Sequence, residues 1–350
     1  LESLDLFGFL SNHSMLIDRR LRAATDLDAL ARAATQMNDM IRRQYRGGTR
    51  VELLARLVQD LNGRLFEQAW QLIAPPELVQ NSCLLVMGSE GRGEQLLKTD
   101  QDNALLLRDG YVPPDDLPAI CARFSEALAR FGYPPCPGHV MLSNAIWRGT
   151  VQDFARRVRK WLVLPEADSL INLAVFMDAH AVCGDAELLA SLRRQVFGML
   201  ADDDAMMSRF AAVVDAFGDG TRWWRRMLGG GEANLNVKKA GMFPLVHGVR
   251  SMALAERIDA TSTEARIRAL HEVGALDAET AQELTESLHF FMGLRLKAGL
   301  DEMDRGQPVS GKVDLAGLTP LERDLLKDAL AAVRRFRAQL RLRFRLGAVS

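Results

Sequence analysis

Leu84-Leu85-Val86-Met87-Gly88-Ser89-Glu90-Gly91-Arg92-Gly93-Glu94-Gln95, followed by Lys98-Thr99-Asp100-Gln101-Asp102-Asn103-Ala104-Leu105-Leu106-Leu107, is the stretch that decides the fold. It reads as a short apolar strand, a glycine-serine turn, and a second apolar strand that begins with two carboxylates one residue apart. Side chains alternate faces along a strand, so Asp100 and Asp102 are expected on one side. Two carboxylates forced together make a hard-cation site, suited to magnesium shared with phosphate oxygens. The Gly88-Ser89 turn offers backbone N–H groups and a hydroxyl to a triphosphate tail. Arg92 and Lys98, between turn and pair, add cations for phosphate oxygens, and Arg can grip them bidentately. Glu94 reads as an internal partner of Arg92.

A plainer interpretation stands beside each residue: a solvated strand start for the aspartates, exposed loop charges for Arg92 and Lys98. Like charges at i and i+2 on one strand face repel unless a cation or donors compensate. That cost favours the functional interpretation of Asp100 and Asp102, which become the expected metal ligands and catalytic pair. Gly88, Ser89, Arg92 and Lys98 become the expected nucleotide contacts. Metal-dependent nucleotidyl transfer is the chemistry this pattern suggests.

A Gly-Ser turn after a strand with Asp-x-Asp about a dozen residues on resembles the signature of the DNA polymerase β nucleotidyltransferase superfamily. The fuller string, Gly91-Arg92-Gly93-Glu94-Gln95 with Thr99-Asp100-Gln101-Asp102-Asn103, resembles nucleotidyltransferase-type domains that follow cyclic-nucleotide-binding and CBS modules in bacterial signalling proteins. Those are similar in turn to the uridylyltransferase that modifies the PII nitrogen-signalling protein. The likeness continues through Gly132-Tyr133-Pro134-Pro135-Cys136-Pro137-Gly138, Val140-Met141, Phe176-Met177-Asp178 with Gly184-Asp185, and Asn236-Val237-Lys238-Lys239. It implies a nucleoside triphosphate with Mg2+, a hydroxyl acceptor on a partner protein, and Lys239 as a further nucleotide contact.

The sequence also departs from the superfamily pattern. A third carboxylate on a later strand usually activates the attacking hydroxyl, yet His139-Val140-Met141-Leu142-Ser143-Asn144 contains no Asp or Glu. Gln101 and Asn103 are polar where many members are apolar. Two-metal chemistry clamps both attacking and leaving oxygens, so nucleotide binding is a firmer expectation than turnover. Asp178 is either a substitute ligand or, the favoured expectation, the partner of an arginine, because a buried unpaired carboxylate is costly.

The chain has 350 residues, 48% of them apolar and 25% charged, with a net charge of −1. That balance suits a globular protein with more than one core and gives no global pull toward nucleic acid or an anionic membrane. Cys83, Cys121, Cys136 and Cys183 lack metal-ligand or disulfide spacing, and a reducing cytoplasm is expected. No apolar run approaches the ~20 residues of a membrane span. The start at Leu1, without a Met or a basic leader, suggests a fragment from which N-terminal sensory modules are missing.

The expected fold is α+β: a small nucleotidyltransferase α/β sheet domain flanked by an N-terminal helical hairpin and a C-terminal helical bundle. Residues 1–74 read as helical, with Asp26 as a cap, a break at Gly47-Gly48, and a heptad-like stripe from Val51 to Leu72 that suits a hairpin or a dimerising segment. Residues 75–150 read as strands 82–87 and 102–107, a helix near 115–131 and a strand near 140–144. Residues 151–350 read as almost entirely helical, with a break at Gly229-Gly230-Gly231, capping boxes at Thr261/Glu264 and Thr319/Glu322, and a final arginine-rich helix near 321–346. Those arginines are expected to pair with local acids rather than to bind nucleic acid. A homodimer is one expected assembly, and two functions remain: an enzyme that transfers a nucleoside monophosphate, or a catalytically silent nucleotide-binding signalling module.

Overall fold

The computed structural model describes residues 14–163, 167–199, 204–215 and 234–346. The Gly229-Gly230-Gly231 break and residues 1–13 lie outside them. The chain divides into two compact units, one of residues 1–159 and 178–196, the other of residues 160–177 and 197–350. Residues 1–74 and 75–150 thus fall in a single unit, which residues 178–196 rejoin after an excursion of the chain.

In the first unit a helix over 14–22 (α1) leads to α2, Leu27–Arg46, and α3, Val51–Ile73. Asp26 caps α2 by accepting from the Ala29 N–H, and Gly47 ends it. The stripe on α3 is buried from Leu54 through Trp70 and packs against α2 within this unit, forming the hairpin. Trp70 meets Phe124 edge-on at 5.4 Å, and Phe66 meets Tyr133 at 5.1 Å. Each such pair contributes roughly 1 kcal/mol beyond its buried area; the first fixes α3 against α6, Leu117–Arg130, and the second against the loop that follows it.

A short helix, α4 (Pro76–Gln80), delivers the chain to the sheet. β1 (Ser82–Val86) and β2 (Asn103–Leu107) are buried at every position and pair antiparallel, with Val86 opposite Asn103. The sheet order is β3-β2-β1-β4, where β3 is Arg148–Thr150 and β4 is His180–Gly184. Between β1 and β2 lie α5, Gly88–Gly91, and the loop to Asp102. Helix α7 (Val151–Val163) follows β3, and α9 (Ala186–Met199) follows β4.

The expected strand at 140–144 does not form. Beyond one bond from the Asn103 N–H to the Val140 carbonyl, side chains hold Leu142 and Ser143: Asn103 Oδ1 accepts from the Leu142 N–H at 2.9 Å, and Arg148 Nη1 donates to the Leu142 and Ser143 carbonyls at 3.0 and 2.7 Å. The strand beside β2 is β3 instead, running parallel to it. β4 was also not anticipated within a region read as helical. It is short, partly exposed, and follows the apolar helix α8, Ala167–Phe176. Only its pairing with β1 makes it a strand.

The second unit is a helical bundle. It includes α8, α10 (Asp204–Ala212), α11 (Phe243–Ala255), α12 (Thr263–Glu272), α13 (Ala278–Asp304) and α14 (Pro320–Arg343). A two-residue ladder joins β5 (Asn234–Leu235) to β6 (Val313–Asp314). Thr319 and Glu322 form the capping box of α14. The cap of α12 is Ser262 rather than Thr261, its hydroxyl accepting from the Ala265 N–H, while the Thr261 position lies one residue too early to reach the first turn. Arginines of α14 pair with acids of their own unit: Arg335 with Glu283, Arg337 and Arg341 with Asp215, Arg343 with Glu256. Among the described residues no helix is long and apolar enough to cross a membrane.

Candidate nucleotide site

The register of β1 against β2 builds the site. Val86 pairs with Asn103, and one step further the Met87 N–H donates to the Asp102 carbonyl at 2.9 Å. The next residue, Gly88, therefore arrives beside Asp102. A Cβ built on Gly88 would stand 2.5 Å from Asp102 Oδ2, and Gly88 adopts φ +57°, a conformation glycine takes without steric cost. Glycine is needed there twice, for the turn and for the carboxylate.

Burial alternates along the approach to β2. Gln101 and Asn103 are 3% and 2% exposed, whereas Asp100 and Asp102 are half-buried. Asn103 Nδ2 donates to Gln101 Oε1 at 3.3 Å, so these two amides share the inner face. Gln101 Nε2 also donates to the carbonyls of Ser125 and Tyr133, both at 3.1 Å. Asp100 and Asp102 alternate with these buried amides just ahead of β2, and Asp102 lies against Gly88. The polar flanks of the Asp pair thus anchor the strand that presents it.

Ser89 lies at the start of α5, and its hydroxyl donates to Gln95 Oε1 at 2.9 Å. Cys136, from the proline-rich loop, hydrogen-bonds Asp102 through its thiol. Burial first, then the Asp102 charge, pushes that thiol up to about 11. The sequence offered one signal for Cys136, its place between three prolines and a glycine, which hold the loop extended beside Gln101.

Arg92 Nε donates to Glu94 Oε2 and its Nη1 to Asp178 Oδ2, both at 2.6 Å. Asp178 is fully buried, and Glu94 is 6% exposed. Burial would lower the Arg92 pKa, but Glu94 and Asp178 outweigh it and hold the guanidinium charged. Gly91 admits this arrangement, since a Cβ there would meet the Asp178 carbonyl oxygen at 2.1 Å. Asp178 is thus the arginine's partner, in a turn between α8 and β4. Lys98 reaches the helical hairpin: its Nζ donates to the Ala34 carbonyl at 2.6 Å and sits 5.7 Å from the Tyr133 ring centre. Burial pulls its pKa down to about 8. Of the expected phosphate clamps, Arg92 is held by carboxylates and Lys98 by a carbonyl.

Lys238 and Lys239 are exposed at the start of a helical turn, Lys238–Met242, in the second unit, where the Lys239 N–H donates to Asn236. Among the described residues, no three His, Cys, Asp or Glu side chains gather where a metal ion could be held. Any ion at Asp100 and Asp102 would therefore share its shell with ligand oxygens and water, as magnesium bound with substrate phosphates does.

Comparison with known families gives two matches. Residues 35–168 match the family described as "Putative nucleotidyltransferase DUF294", and residues 204–344 match the one described as "Putative nucleotidyltransferase substrate binding domain". No curated protein matches the chain. The first match contains β1, the Gly88-Ser89 turn, the Asp pair and the proline-rich loop, and the second contains most of the helical bundle. The chain therefore carries both domains of this nucleotidyltransferase type, the DUF294 domain first and its substrate-binding C-terminal domain after it.

Proposed function

We propose that the chain binds a nucleoside triphosphate with Mg2+ and transfers the nucleoside monophosphate to a hydroxyl of a partner protein, in the manner of a [protein-PII] uridylyltransferase. The observation that carries this reading is the Asp102 carboxylate seated against Gly88, with Asp100 half-buried two residues before it. Two half-buried carboxylates beside a serine turn fit a hard cation shared with phosphates. Asp100 and Asp102 would hold the ion, which supplies charge neutralisation at the phosphates when bound. Gly88 and Ser89 would receive the β- and γ-phosphates. The acceptor oxygen bonds to the α-phosphorus, the α–β anhydride bond breaks, pyrophosphate leaves, and the hydroxyl proton passes to water.

One observation favours a second reading, a nucleotide-binding regulatory module without transfer. The stretch where a third carboxylate would stand, 139–144, is a loop held by Asn103 and Arg148. The resemblance to bacterial signalling proteins supports sensory modules ahead of the chain, including CBS modules, and a cytoplasmic setting. A homodimer would need a surface other than the α3 stripe, which packs inside its own unit.

Incubation with labelled nucleoside triphosphates, magnesium and host lysate decides between the two. A labelled protein band with released pyrophosphate, both lost in Asp100→Asn and Asp102→Asn, establishes the enzyme. Tight nucleotide binding with no labelled product establishes the regulatory module.

A further inference from the structure

One buried amide joins the two sides of the site. Asn62, on α3, is 2% exposed and uses both ends of its side chain. Its Nδ2 donates to Glu90 Oε2 at 3.0 Å, and its Oδ1 accepts from the Tyr133 hydroxyl at 2.6 Å. Glu90 directly follows Ser89 in the phosphate-binding turn. Tyr133 directly precedes Pro134-Pro135-Cys136, the loop that sets Cys136 on Asp102. The Tyr133 and Pro134 carbonyls in turn accept from the Gln101 side chain and backbone N–H at 3.1 and 3.0 Å. A chain of bonds therefore runs from the serine turn, through one asparagine of the helical hairpin, to the strand that presents Asp100 and Asp102.

These are buried polar groups, so each lost partner costs more than its bond contributes. Glu90 and Tyr133 are 6% and 1% exposed, and an apolar residue at position 62 would leave a carboxyl and a phenol unsatisfied together. Packing alone does not call for asparagine at a helix position otherwise lined by leucine and phenylalanine. Burial, only partly offset by the Asn62 bond, pushes the Glu90 carboxyl up to about 8, so near neutral pH it is uncharged and well matched to an amide.

We propose that Asn62 is a positioning residue: it fixes the Gly88-Ser89 turn and the Tyr133–Gly138 loop relative to each other, so that the hairpin sets the geometry of nucleotide binding. This rests on the nucleotide reading given above for Gly88, Ser89 and the Asp pair. It also gives the hairpin a role beyond packing, because displacing α3 would loosen both walls of the site at once.

The test compares wild type with Asn62→Leu, Tyr133→Phe, Glu90→Ala and Glu90→Gln in the full chain. Binding of each of the four ribonucleoside triphosphates with magnesium is titrated, and amide hydrogen exchange is followed by peptide. Asn62→Leu should weaken binding at least tenfold and speed exchange in both 88–95 and 133–138 while strands β1 and β2 stay protected. Tyr133→Phe, which removes one hydroxyl, should weaken binding less and speed exchange mainly in 133–138. Glu90→Ala should reproduce the turn's loosening and Glu90→Gln should reverse it, because the Gln oxygen still accepts from Asn62. If Asn62→Leu does not fold, Tyr133→Phe and the Glu90 pair carry the same comparison. Variants that bind as wild type with both segments unchanged overturn the proposal and reduce Asn62 to a core residue. A wild type that binds no triphosphate overturns the nucleotide reading instead, and exchange in the two segments then decides whether Asn62 couples them.

Discussion

The carboxylate of Asp102 rests against the α-carbon of Gly88, closely enough that one methyl group on that carbon would stand 2.5 Å from Oδ2. This contact joins the two halves of the signature, the turn and the Asp pair, and follows from antiparallel pairing of β1 with β2. Gly88→Ala should lose on two counts. The positive φ of +57° costs a Cβ-bearing residue roughly 1 kcal/mol, and the carboxylate must move. Calorimetric titration should show magnesium–nucleotide affinity down at least tenfold. Gly63→Ala, within α3 and with nothing in 4 Å of its Cβ, should instead raise stability by about 1 kcal/mol.

Asp100→Asn and Asp102→Asn should each raise the dissociation constant for magnesium–nucleotide at least tenfold. Chelating magnesium from the wild type should reproduce that loss. Binding that survives chelation and both substitutions would place the nucleotide elsewhere.

Asp178→Asn should act on stability. It removes one of two carboxylates from a buried guanidinium, and breaking such a pair costs about 3 kcal/mol. Urea unfolding should report the loss, and nucleotide affinity at low temperature should stay near wild type. Abolished transfer with unchanged stability would make Asp178 a catalytic group.

Stability should vary with pH in two windows of opposite sign. Burial raises Glu90 from 4.5 to about 8, so the folded protein holds a proton that the unfolded chain has lost. Its contribution is complete below pH 4.5 and is lost as pH rises through about 8. Burial lowers Lys98 from 10.5 to about 8, so the cost of burying its charge is relieved between pH 8 and 10.5. Unfolding measured across this range should show a shallower lower slope in Glu90→Gln and a flatter upper slope in Lys98→Met.

Local chemistry was legible in the sequence by itself. The Asp26 cap, the Gly47 stop, the capping box at Thr319, the strands carrying Leu84 and Leu105, and the Gly-Ser turn with its Asp pair all follow from neighbours a few residues apart. The Arg92–Glu94 pair is of the same kind. Tertiary structure decided what depends on distant partners. The residues at 140–144 have a strand's composition, but the side chains of Asn103 and Arg148 occupy the backbone groups of Leu142 and Ser143. β4 is a strand only because β1 has an open edge beside it. Lys98 looks like a phosphate clamp in sequence, yet the hairpin offers its ammonium a buried carbonyl 64 residues away. Asn62 belongs to no motif, and nothing in the stretches holding Glu90 and Tyr133 points to it, because a hydrogen-bonded amide across 71 residues exists only after three elements have packed. Short-range periodicity and capping are written into the order of residues, whereas the partner of a buried polar group is chosen by whichever donor or acceptor the completed fold brings within about 3 Å of it.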